Sequence, residues 1–387
     1  MGSFHSPRPL MESAQFVSSA PGRVNLLGEH VDYNGGAVLP MAIDRYVRIE
    51  ARLQEGGKIC IEARDLGRIV EFSVGSLAEK VDTKGRNLPS WALYPAGVAW
   101  ALVQHGLEVQ GIQAVFNSSV PVGAGLSSSA AVEVAFGSLW QAMAGFSLPP
   151  LELAKICQLA ENKYVGVNCG LMDQFASACG VAGSAVWFDT RTHESKPVKL
   201  PGNTVIIVAD TGVRRGLAGS AYNDRRASCE EALRHFQGFL PTIESLREVT
   251  PADFEKYSTG LGEIPLKRSR YIVLECARMD KALEVLSRQD AAEFGSLMKE
   301  THIGLRDDYE VSCPELDAMA EIAWVQPGCY GSRLTGAGFG GCTVSLVQRE
   351  KAQQFEASLK EGYLGRTGKN AEVYICEAVG GAHAGRV

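Results

Sequence analysis

Residues 22–36 read Gly22-Arg23-Val24-Asn25-Leu26-Leu27-Gly28-Glu29-His30-Val31-Asp32-Tyr33-Asn34-Gly35-Gly36. This stretch, called the signature segment below, follows an Ala-Pro pair and combines one arginine with Glu29, His30 and Asp32. Carboxylates and imidazoles form directional hydrogen bonds with hydroxyl groups. The four glycines of the segment let its backbone approach a ligand closely. The signature segment therefore predicts a loop that binds a polar, hydroxyl-bearing ligand.

The length and charge of the chain set the first limits on its function. It has 387 residues, more than the roughly 250–300 at which a single core stops growing, so two domains are expected. Hydrophobic residues make up 45% and charged residues 21% of the chain, as in ordinary soluble globular proteins. The net charge is −6 without a dense run of Lys and Arg, so neither nucleic acid nor an anionic membrane is an expected partner.

Ten cysteines are scattered along the chain, with no Cys-x-x-Cys pair and no zinc-finger spacing. Such cysteines are typical of buried thiols in a reducing compartment, so a cytoplasmic location is expected. No apolar stretch reaches the roughly 18 residues needed to span a membrane, and no signal peptide is visible.

The pattern of apolar residues predicts an α+β chain in two halves. Residues 1 to about 18 are polar and are expected to be frayed. Short alternating runs over residues 37–72 predict strands, and the run Val205–Ala209 predicts a buried central strand. We place the domain boundary near residue 200, which gives domains of residues 1–200 and 201–387. Helical periodicity predicts helices over residues 91–107, 127–144, 151–164, 222–236, 268–287, 291–306 and 314–324.

Residues 121–130, called the Gly-Ser loop below, read Pro-Val-Gly-Ala-Gly-Leu-Ser-Ser-Ser-Ala and lie between a predicted strand and a predicted helix. Free backbone N–H groups and the positive end of a helix suit phosphate groups. A Walker A loop requires a Lys after its second glycine, and this loop has none there. The third glycine of a dinucleotide fingerprint is replaced by Ser128, which counts against a nicotinamide dehydrogenase. Taken by itself, the loop is also compatible with a serine-capped helix behind a flexible turn.

Three segments, in the expected order, resemble the motifs of galactokinases. These enzymes belong to the family that unites galactokinase, homoserine kinase, mevalonate kinase and phosphomevalonate kinase, the GHMP kinases. The segments are the signature segment, the Gly-Ser loop and residues 334–342, Leu-Thr-Gly-Ala-Gly-Phe-Gly-Gly-Cys, called the Gly loop below. Because the Gly loop has so little side-chain bulk, it can lie against a ligand or against the Gly-Ser loop. In isolation it would read equally well as a turn between a helix and a strand.

The resemblance covers almost the whole chain, including His302–Asp317, and it implies a fold. That fold is α+β, with a ribosomal-protein-S5-like N-terminal half, a ferredoxin-like C-terminal half and the active site in the cleft between them. It also implies transfer of the γ-phosphoryl group of ATP to the anomeric hydroxyl of D-galactose, with Mg²⁺ as the metal ion. The expected partners are therefore small-molecule substrates, and a monomer is expected.

The resemblance assigns catalysis to Asp173 and Arg23. Asp173 stands in the string Cys-Gly-Leu-Met-Asp-Gln, where galactokinases keep a catalytic aspartate, and cationic Arg23 would hold it ionised. A lone Asp in this position is otherwise most often a helix cap.

The magnesium ligands of the family fall on Ser129 and Glu161. Two protein oxygens suffice because Mg²⁺ keeps waters and nucleotide phosphates as its other ligands. Glu161 could otherwise be a solvated carboxylate on a helix face.

The resemblance assigns the substrate contacts in the same way. The sugar contacts fall on Glu29, His30, Asp32, Gly170 and Tyr222, and the nucleotide contacts on Gly123, Ala124, Gly125, Leu126, Ser127, Ser128, Ser129 and, against adenine, Trp91. His30 could instead be a structural histidine, an interpretation that its neighbouring carboxylates disfavour, and Trp91 could be a core residue of an amphipathic helix.

Two other functions remain open from the sequence. A kinase for N-acetylgalactosamine would need room for an acetamido group at C2, which a sequence does not display. A non-catalytic regulator that binds galactose and ATP would be expected to lose part of the Gly-Ser loop or the catalytic base. Arg23, Ser127–Ala130 and Asp173 are all present, which favours an enzyme.

Overall fold

The computed structural model describes residues 10–214 and 218–387. Their strands are β1 Phe16–Asn25, β2 Ala37–Val38, β3 Pro40–Leu53, β4 Lys58–Ala63, β5 Arg68–Ser73, β6 Ile112–Ser118, β7 Ala185–Asp189, β8 Ser195–Val198, β9 Thr204–Asp210, β10 Cys329–Thr335, β11 Cys342–Gln348, β12 Glu372–Cys376 and β13 His383–Arg386. Their α-helices are α1 Leu93–Gln104, α2 Ser128–Ala144, α3 Pro150–Leu159, α4 Met172–Cys179, α5 Ala218–Gln237, α6 Pro251–Tyr257, α7 Glu263–Ser287, α8 Ala291–Asp307, α9 Pro314–Trp324 and α10 Ala352–Thr367.

The strands of the described residues form three sheets. The largest has the order β13-β1-β3-β6-β4-β5, the second has the order β10-β11-β9-β12, and the smallest has the order β2-β7-β8. Pairing is antiparallel except between β4 and β6. Helices and largely antiparallel sheets together confirm the α+β prediction.

Strand β9 is the central strand that the run Val205–Ala209 predicts. It lies between β11 and β12, and all seven of its residues are buried. Ile206 and Val208 pack into the larger hydrophobic core, whereas Val205, Ile207 and Ala209 pack into a smaller one with α10. Burial on both faces explains why the sequence is continuously apolar here instead of alternating. The domain boundary near residue 200, which falls between β8 and β9, stays a prediction.

The prediction of a frayed start is wrong for residues 16–18. They begin β1, which lies between β13 and β3 inside the largest sheet, and Phe16 and Ser18 are buried. The polar composition of this segment conceals the strand, because its partners come from distant parts of the chain. The signature segment accordingly starts on β1 and becomes a loop only after Asn25. An irregularity in the β1–β3 register between Pro21 and Arg23 lies just before this end of the strand.

Helix α2 begins at Ser128, within the Gly-Ser loop, and is buried along most of its length. Ser127 precedes it with a positive φ of 57°, which turns the chain sharply into the helix. The predicted helix over residues 151–164 is present as α3 followed by a π-helical turn, Ala160–Val165. Such π-turns occur frequently at functional sites.

The Gly loop connects β10 to β11 and packs against the Gly-Ser loop. A Cβ on Gly336 would stand 2.8 Å from the carbonyl oxygen of Gly125, and a Cβ on Gly341 would stand 2.8 Å from that of Ala124. Any larger residue at these positions would push the two backbones apart. The sequence allows the Gly loop to lie against a ligand or against the Gly-Ser loop, and the structure shows the contact with the Gly-Ser loop.

Candidate active site

A cavity of about 300 Å³ lies where the signature segment, the π-turn, the start of α4, the start of α5 and the Gly loop converge. Both carboxylates and the imidazole of the signature segment line it, as do its arginine and the predicted base. The lining residues are Arg23, Glu29, His30, Asp32, Glu161, Gly166, Val167, Asn168, Cys169, Gly170, Met172, Asp173, Tyr222, Asn223, Gly336 and Ala337.

Asp173 lies in the first turn of α4 and is bonded to residues of two other segments. Arg23 contacts its Oδ1 through Nε at 2.9 Å and through Nη2 at 2.7 Å. The hydroxyl of Ser127 donates to Oδ2 at 2.5 Å. The N-cap of α4 is Leu171, so Asp173 is not the helix cap that the alternative interpretation proposes.

Arg23 connects this carboxylate to the Gly-Ser loop. It is nearly fully buried at the end of β1, and its Nη1 donates to the carbonyl oxygen of Gly125 at 2.6 Å. Its backbone N–H donates to the carbonyl oxygen of Leu126 at 3.1 Å. One arginine therefore fixes the Gly-Ser loop and Asp173 relative to each other, although 150 residues separate the two charged partners.

Behind Asp173, a second group of carboxyls is buried between α2 and the π-turn. Gln174 donates through one amide nitrogen to Glu161 at 2.6 Å and to Glu133 at 2.9 Å. Burial and the nearby Asp173 raise the pKa of Glu161 to about 7, opposed by hydrogen bonds that include one from the Ser129 hydroxyl. Burial and Glu161 raise the pKa of Glu133 well above its ordinary value. Glu161 is thus buried and accepts hydrogen bonds from Gln174 and Cys169, and it is not solvated on a helix face.

Asp32 lies against the backbone of the loop before α4. A Cβ on Gly170 would stand 1.8 Å from Asp32 Oδ2, so this contact requires glycine. Burial, with Asp173 and Glu29 nearby, raises the pKa of Asp32 to about 7. The structure therefore brings together two predicted sugar ligands that are far apart in sequence.

His30 is buried and neutral, because burial lowers its pKa to about 3. Its Nε2 lies 3.3 Å from the carbonyl oxygen of Ala337, which can only accept, so we place the proton on this nitrogen. Its Nδ1 then accepts from the hydroxyl of Tyr33 at 2.9 Å, which accepts in turn from Tyr309 at 2.6 Å. Both ring nitrogens are engaged within the protein, which supports the structural interpretation of His30 and leaves its predicted sugar contact a prediction.

Glu29 is held from the C-terminal half of the chain. Its Oε2 accepts from the guanidinium of fully buried Arg333 and from the backbone N–H of Gly336 at 3.0 Å. Burial nevertheless raises the pKa of Glu29, and Arg333 and Arg23 oppose that effect. Tyr222 completes this side of the cavity, with its ring centroid 5.6 Å from that of His30 and 5.2 Å from that of Tyr33.

The Gly-Ser loop presents backbone rather than bulky side chains. Gly123 and Gly125 have positive φ values of 67° and 78°, and the side chains of Ala124 and Leu126 are buried in the core. Arg214, which follows β9, donates to the carbonyl oxygen of Val122 at 3.1 Å while pairing with Asp210. A cation from the C-terminal half therefore contacts this loop.

Trp91 lies outside the cavity described above. Its ring packs on Phe116 of β6 with centroids 6.1 Å apart, and it borders a separate cavity of about 500 Å³ together with Arg68, Lys84 and Arg86. Trp91 therefore packs on the strand that precedes the Gly-Ser loop in the chain. Its contact with adenine stays a prediction.

Four features of the site are absent from the sequence prediction. They are the bond from Ser127 to Asp173, the support of Glu29 by Arg333, the pairing of Glu133 with Glu161 through Gln174, and the contact of Arg214 with the Gly-Ser loop. Glu133 and Arg333 offer a local signal, because each is a charged residue inside an otherwise apolar or small-residue segment next to a predicted loop. The other two depend on the folded arrangement.

Comparisons with known proteins agree with this geometry. The chain matches the GHMP kinases N terminal domain over residues 94–181, the GHMP kinases C terminal domain over residues 281–364 and the galactokinase galactose-binding signature over residues 10–53. The galactokinase of Chloroflexus aggregans is 42% identical over 365 residues, which cover 94% of this chain and 92% of that protein.

Solved structures give the same result. The galactokinase of Lactococcus lactis, crystallised with galactose, has a TM-score of 0.89 at 33% identity and is matched over 96% of this chain and 95% of its own. The mevalonate kinase of Methanococcus jannaschii has a TM-score of 0.68 at 18% identity over 95% of this chain and 100% of its own, a likeness of fold.

The two matched domains, joined at a cavity with an Arg–Asp pair and a glycine-rich loop, define a GHMP kinase. The match to the galactose-binding signature and the identity to curated relatives over nearly the whole chain are more specific. The chain belongs to the galactokinases. Within the described residues, no helix is both long and apolar enough to cross a membrane.

Proposed function

We propose that the protein transfers the γ-phosphoryl group of ATP to the anomeric hydroxyl of D-galactose, forming α-D-galactose 1-phosphate and ADP. The observation that carries this proposal is the position of Asp173. Its carboxylate faces a cavity of about 300 Å³ lined by hydroxyl-binding side chains, while Arg23 and Ser127 connect it to the Gly-Ser loop. A sugar hydroxyl and a phosphate chain can therefore meet at this carboxylate.

Asp173 acts as the general base in this proposal, accepting the proton of the anomeric hydroxyl as its oxygen attacks phosphorus. Arg23 pairs with the Asp173 carboxylate at 2.7 Å and holds it in position for this role. The same guanidinium is placed to offset negative charge on the reacting phosphoryl oxygens. Catalysis of this kind depends chiefly on positioning and electrostatics.

Mg²⁺ would be held by Ser129 and Glu161. Within residues 10–214 and 218–387, no three His, Cys, Asp or Glu side chains form a metal cluster, so the fit depends on two oxygen donors. The Ser129 hydroxyl lies close enough to the Glu161 carboxylate to lower its pKa, and hard oxygen donors in small number suit Mg²⁺. When bound, the ion would supply positive charge to the nucleotide phosphates. Gln174 orients Glu161 for this role through its hydrogen bond.

ATP would bind with its phosphates against residues 123–129. The left-handed backbone of Gly123 and Gly125 frees N–H groups, and the N-terminus of α2 adds its positive dipole end. The adenine is proposed to lie against Trp91, which packs on Phe116 of β6. The buried side chains of Ala124 and Leu126 imply that these two residues contact the nucleotide through backbone.

Galactose would occupy the cavity between Asp32, Glu29 and Tyr222. Asp32 and Glu29 supply acceptors for sugar hydroxyls, and Gly170 provides the space that Asp32 needs. Tyr222 stays a neutral phenol, since burial raises its pKa well above the ordinary value, and it can donate to the sugar. His30 would contribute mainly by holding the signature segment in place through its hydrogen bonds. It would contact galactose directly only if a sugar hydroxyl replaced the carbonyl oxygen of Ala337 as the partner of its Nε2.

ADP release with Mg-ATP and a sugar panel tests the proposal. We expect turnover with D-galactose and little with glucose, homoserine or mevalonate, and N-acetylgalactosamine reports how much room exists at C2. Binding of galactose and ATP by calorimetry without any ADP release would favour the non-catalytic regulator instead. The expected monomer and cytoplasmic location stay predictions. None of the ten cysteines, all of which lie in the described part of the chain, forms a disulfide, and this suits a reducing compartment.

A further inference from the structure

Helix α7 contacts the backbone of the signature segment from the C-terminal half of the chain. The hydroxyl of buried Tyr271 donates to the carbonyl oxygen of Glu29 at 2.9 Å. One helical turn later, Oε1 of Glu275 accepts from the backbone N–H of Gly28 at 2.8 Å. Residues four apart lie on one face of a helix, so a single row of α7 binds both sides of the Gly28–Glu29 peptide region.

Glu275 is a fully buried glutamate whose orientation is fixed by several donors. Its Oε2 accepts from the guanidinium of Arg278 and from the hydroxyl of Thr301, the latter at 2.8 Å. A buried carboxylate is costly unless it is paired and hydrogen-bonded. An apolar residue would fill the space at lower cost, so packing does not account for a glutamate here. The contact that distinguishes it is the one to Gly28.

Gly28 has a backbone that few other residues could adopt. Its φ is +84°, and a Cβ would stand 2.6 Å from the carbonyl oxygen of Ala37 and 3.0 Å from Cε of Met279, the next residue in the same row of α7. This left-handed backbone comes immediately before Glu29, His30 and Asp32 in the chain. The direction of these three side chains therefore depends on how Gly28 and Glu29 are held.

We propose that Tyr271 and Glu275 are positioning residues for sugar recognition, which fix the Gly28–Glu29 backbone so that the signature segment presents its side chains to galactose. This inference rests on the proposed sugar site. The contacts of Asp173, by contrast, come from Arg23 and Ser127 in the N-terminal half. Removing a hydrogen bond between α7 and the Gly28–Glu29 backbone consequently weakens galactose binding and leaves ATP binding and kcat unchanged.

The test compares Tyr271→Phe with the matched control Tyr363→Phe in the full-length protein. Tyr363 is also fully buried and also donates to a backbone carbonyl at 2.9 Å, that of Thr211, but it does not touch the signature segment. Each substitution removes one buried hydrogen bond of the same kind. We expect Tyr271→Phe to raise both the galactose Kd by calorimetry and the galactose KM about fivefold to tenfold. Its kcat and its KM for ATP stay within about twofold of the wild type, and Tyr363→Phe leaves all binding constants within about twofold.

Glu275→Gln provides a second variant that keeps an acceptor for Gly28 but loses the charge that pairs with Arg278. We expect it to shift the galactose Kd in the same direction as Tyr271→Phe, and it serves in place of that variant if Tyr271→Phe does not fold. Two outcomes would overturn the positioning role even if the wild type phosphorylates galactose. One is a galactose Kd in these variants equal to that of Tyr363→Phe, and the other is a KM for ATP that rises as much as the KM for galactose. A wild-type protein that neither binds nor phosphorylates galactose would overturn the proposed function, and this inference with it.

Discussion

The two walls of the cavity are built in different ways. The reaction wall, which consists of Arg23, Glu161 and Asp173, is supported by contacts among residues 23–174, including the hydrogen bond from Ser127. The recognition wall, which consists of Glu29, His30 and Asp32, takes much of its support from residues 271–337. The walls meet where Asp32 lies against Gly170.

Their electrostatics differ as well. Glu161 of the reaction wall and Glu133 behind it are buried close to each other and to Asp173, and their pKa values are raised. On the recognition wall, Glu29 has Arg333 as a direct partner, while burial, with Asp173 and Glu29 nearby, also raises the pKa of Asp32. Perturbed carboxyls beside the proposed base suit proton and metal chemistry, and a carboxylate paired with a buried arginine suits a fixed shape. Substitutions on the reaction wall should therefore change mainly kcat, and those on the recognition wall should change mainly galactose affinity.

The largest expected effect separates the two walls most sharply. Asp173→Asn removes the proposed base but keeps the shape of the side chain, so kcat should fall by about a thousandfold, within the usual range for losing a general base. Calorimetry with galactose should still show binding, because the recognition wall is unchanged. A variant that keeps more than a tenth of wild-type kcat would show that Asp173 does not take the proton.

A substitution at the junction of the walls should act on binding. In Gly170→Ala the new Cβ would overlap Asp32 Oδ2 and displace the carboxylate from the cavity. Losing hydrogen bonds to a charged group is expected to raise the galactose KM about tenfold to a hundredfold. Gly202→Ala is the control, since nothing lies within 4 Å of a Cβ there. An unchanged galactose KM in Gly170→Ala would remove Asp32 from the sugar site.

Much of this arrangement follows from the sequence, for identifiable physical reasons. The order of the signature segment, the Gly-Ser loop and the Gly loop gives the fold through its resemblance to a known family. Glycine-rich loops can be assigned to close backbone contacts, because the absence of a side chain is itself the signal. Apolar runs such as Val205–Ala209 report burial directly.

What the sequence does not give are contacts set by the relative position of distant segments. Arg333 and Glu29 are 304 residues apart, and nothing local to either residue indicates the pairing. Ser127 stands in a loop whose sequence is typical of phosphate binding, yet its hydroxyl donates to Asp173 of α4. Its backbone is left-handed, which the sequence does not indicate. The start of β1 was hidden for the same reason, since its partner strands lie elsewhere in the chain.

Asp32→Asn should affect both affinity and stability, in opposite directions. We expect galactose affinity at pH 8, where the carboxyl is ionised, to fall about tenfold as a charged acceptor is lost. The folded protein holds the proton of Asp32 up to about pH 7, against an ordinary pKa near 3.8, so this carboxyl lowers stability as the pH rises between these values. The Tm of Asp32→Asn relative to wild type should therefore increase from pH 5 to pH 8, by about 2–4 °C. Thermal denaturation at both pH values measures this difference, and a constant difference would show that Asp32 is ionised throughout.

The smallest expected effect concerns Glu133, which is fully buried behind the reaction wall. Its raised pKa and its position beside Glu161 indicate that it carries a proton, so the neutral amide in Glu133→Gln should replace it with little disturbance. We expect kcat and the Mg²⁺ dependence of activity to stay within about twofold. Because the wild type loses stability as the pH rises above the ordinary range of a glutamate, the variant should have the higher Tm at pH 8 and a similar Tm at pH 5.

Binding of Mn²⁺ with ADP, followed by electron paramagnetic resonance, gives a readout for Glu133→Gln that does not depend on turnover. Unchanged Mn²⁺ affinity is expected if Glu133 is neutral and acts only as a neighbour of Glu161. A tenfold loss of Mn²⁺ affinity would instead show that an ionised Glu133 helps to hold the metal ion. In that case the reaction wall would use the charge of all three of its neighbouring carboxyls, Glu133, Glu161 and Asp173, and the contrast with the recognition wall would be greater than the structure alone indicates.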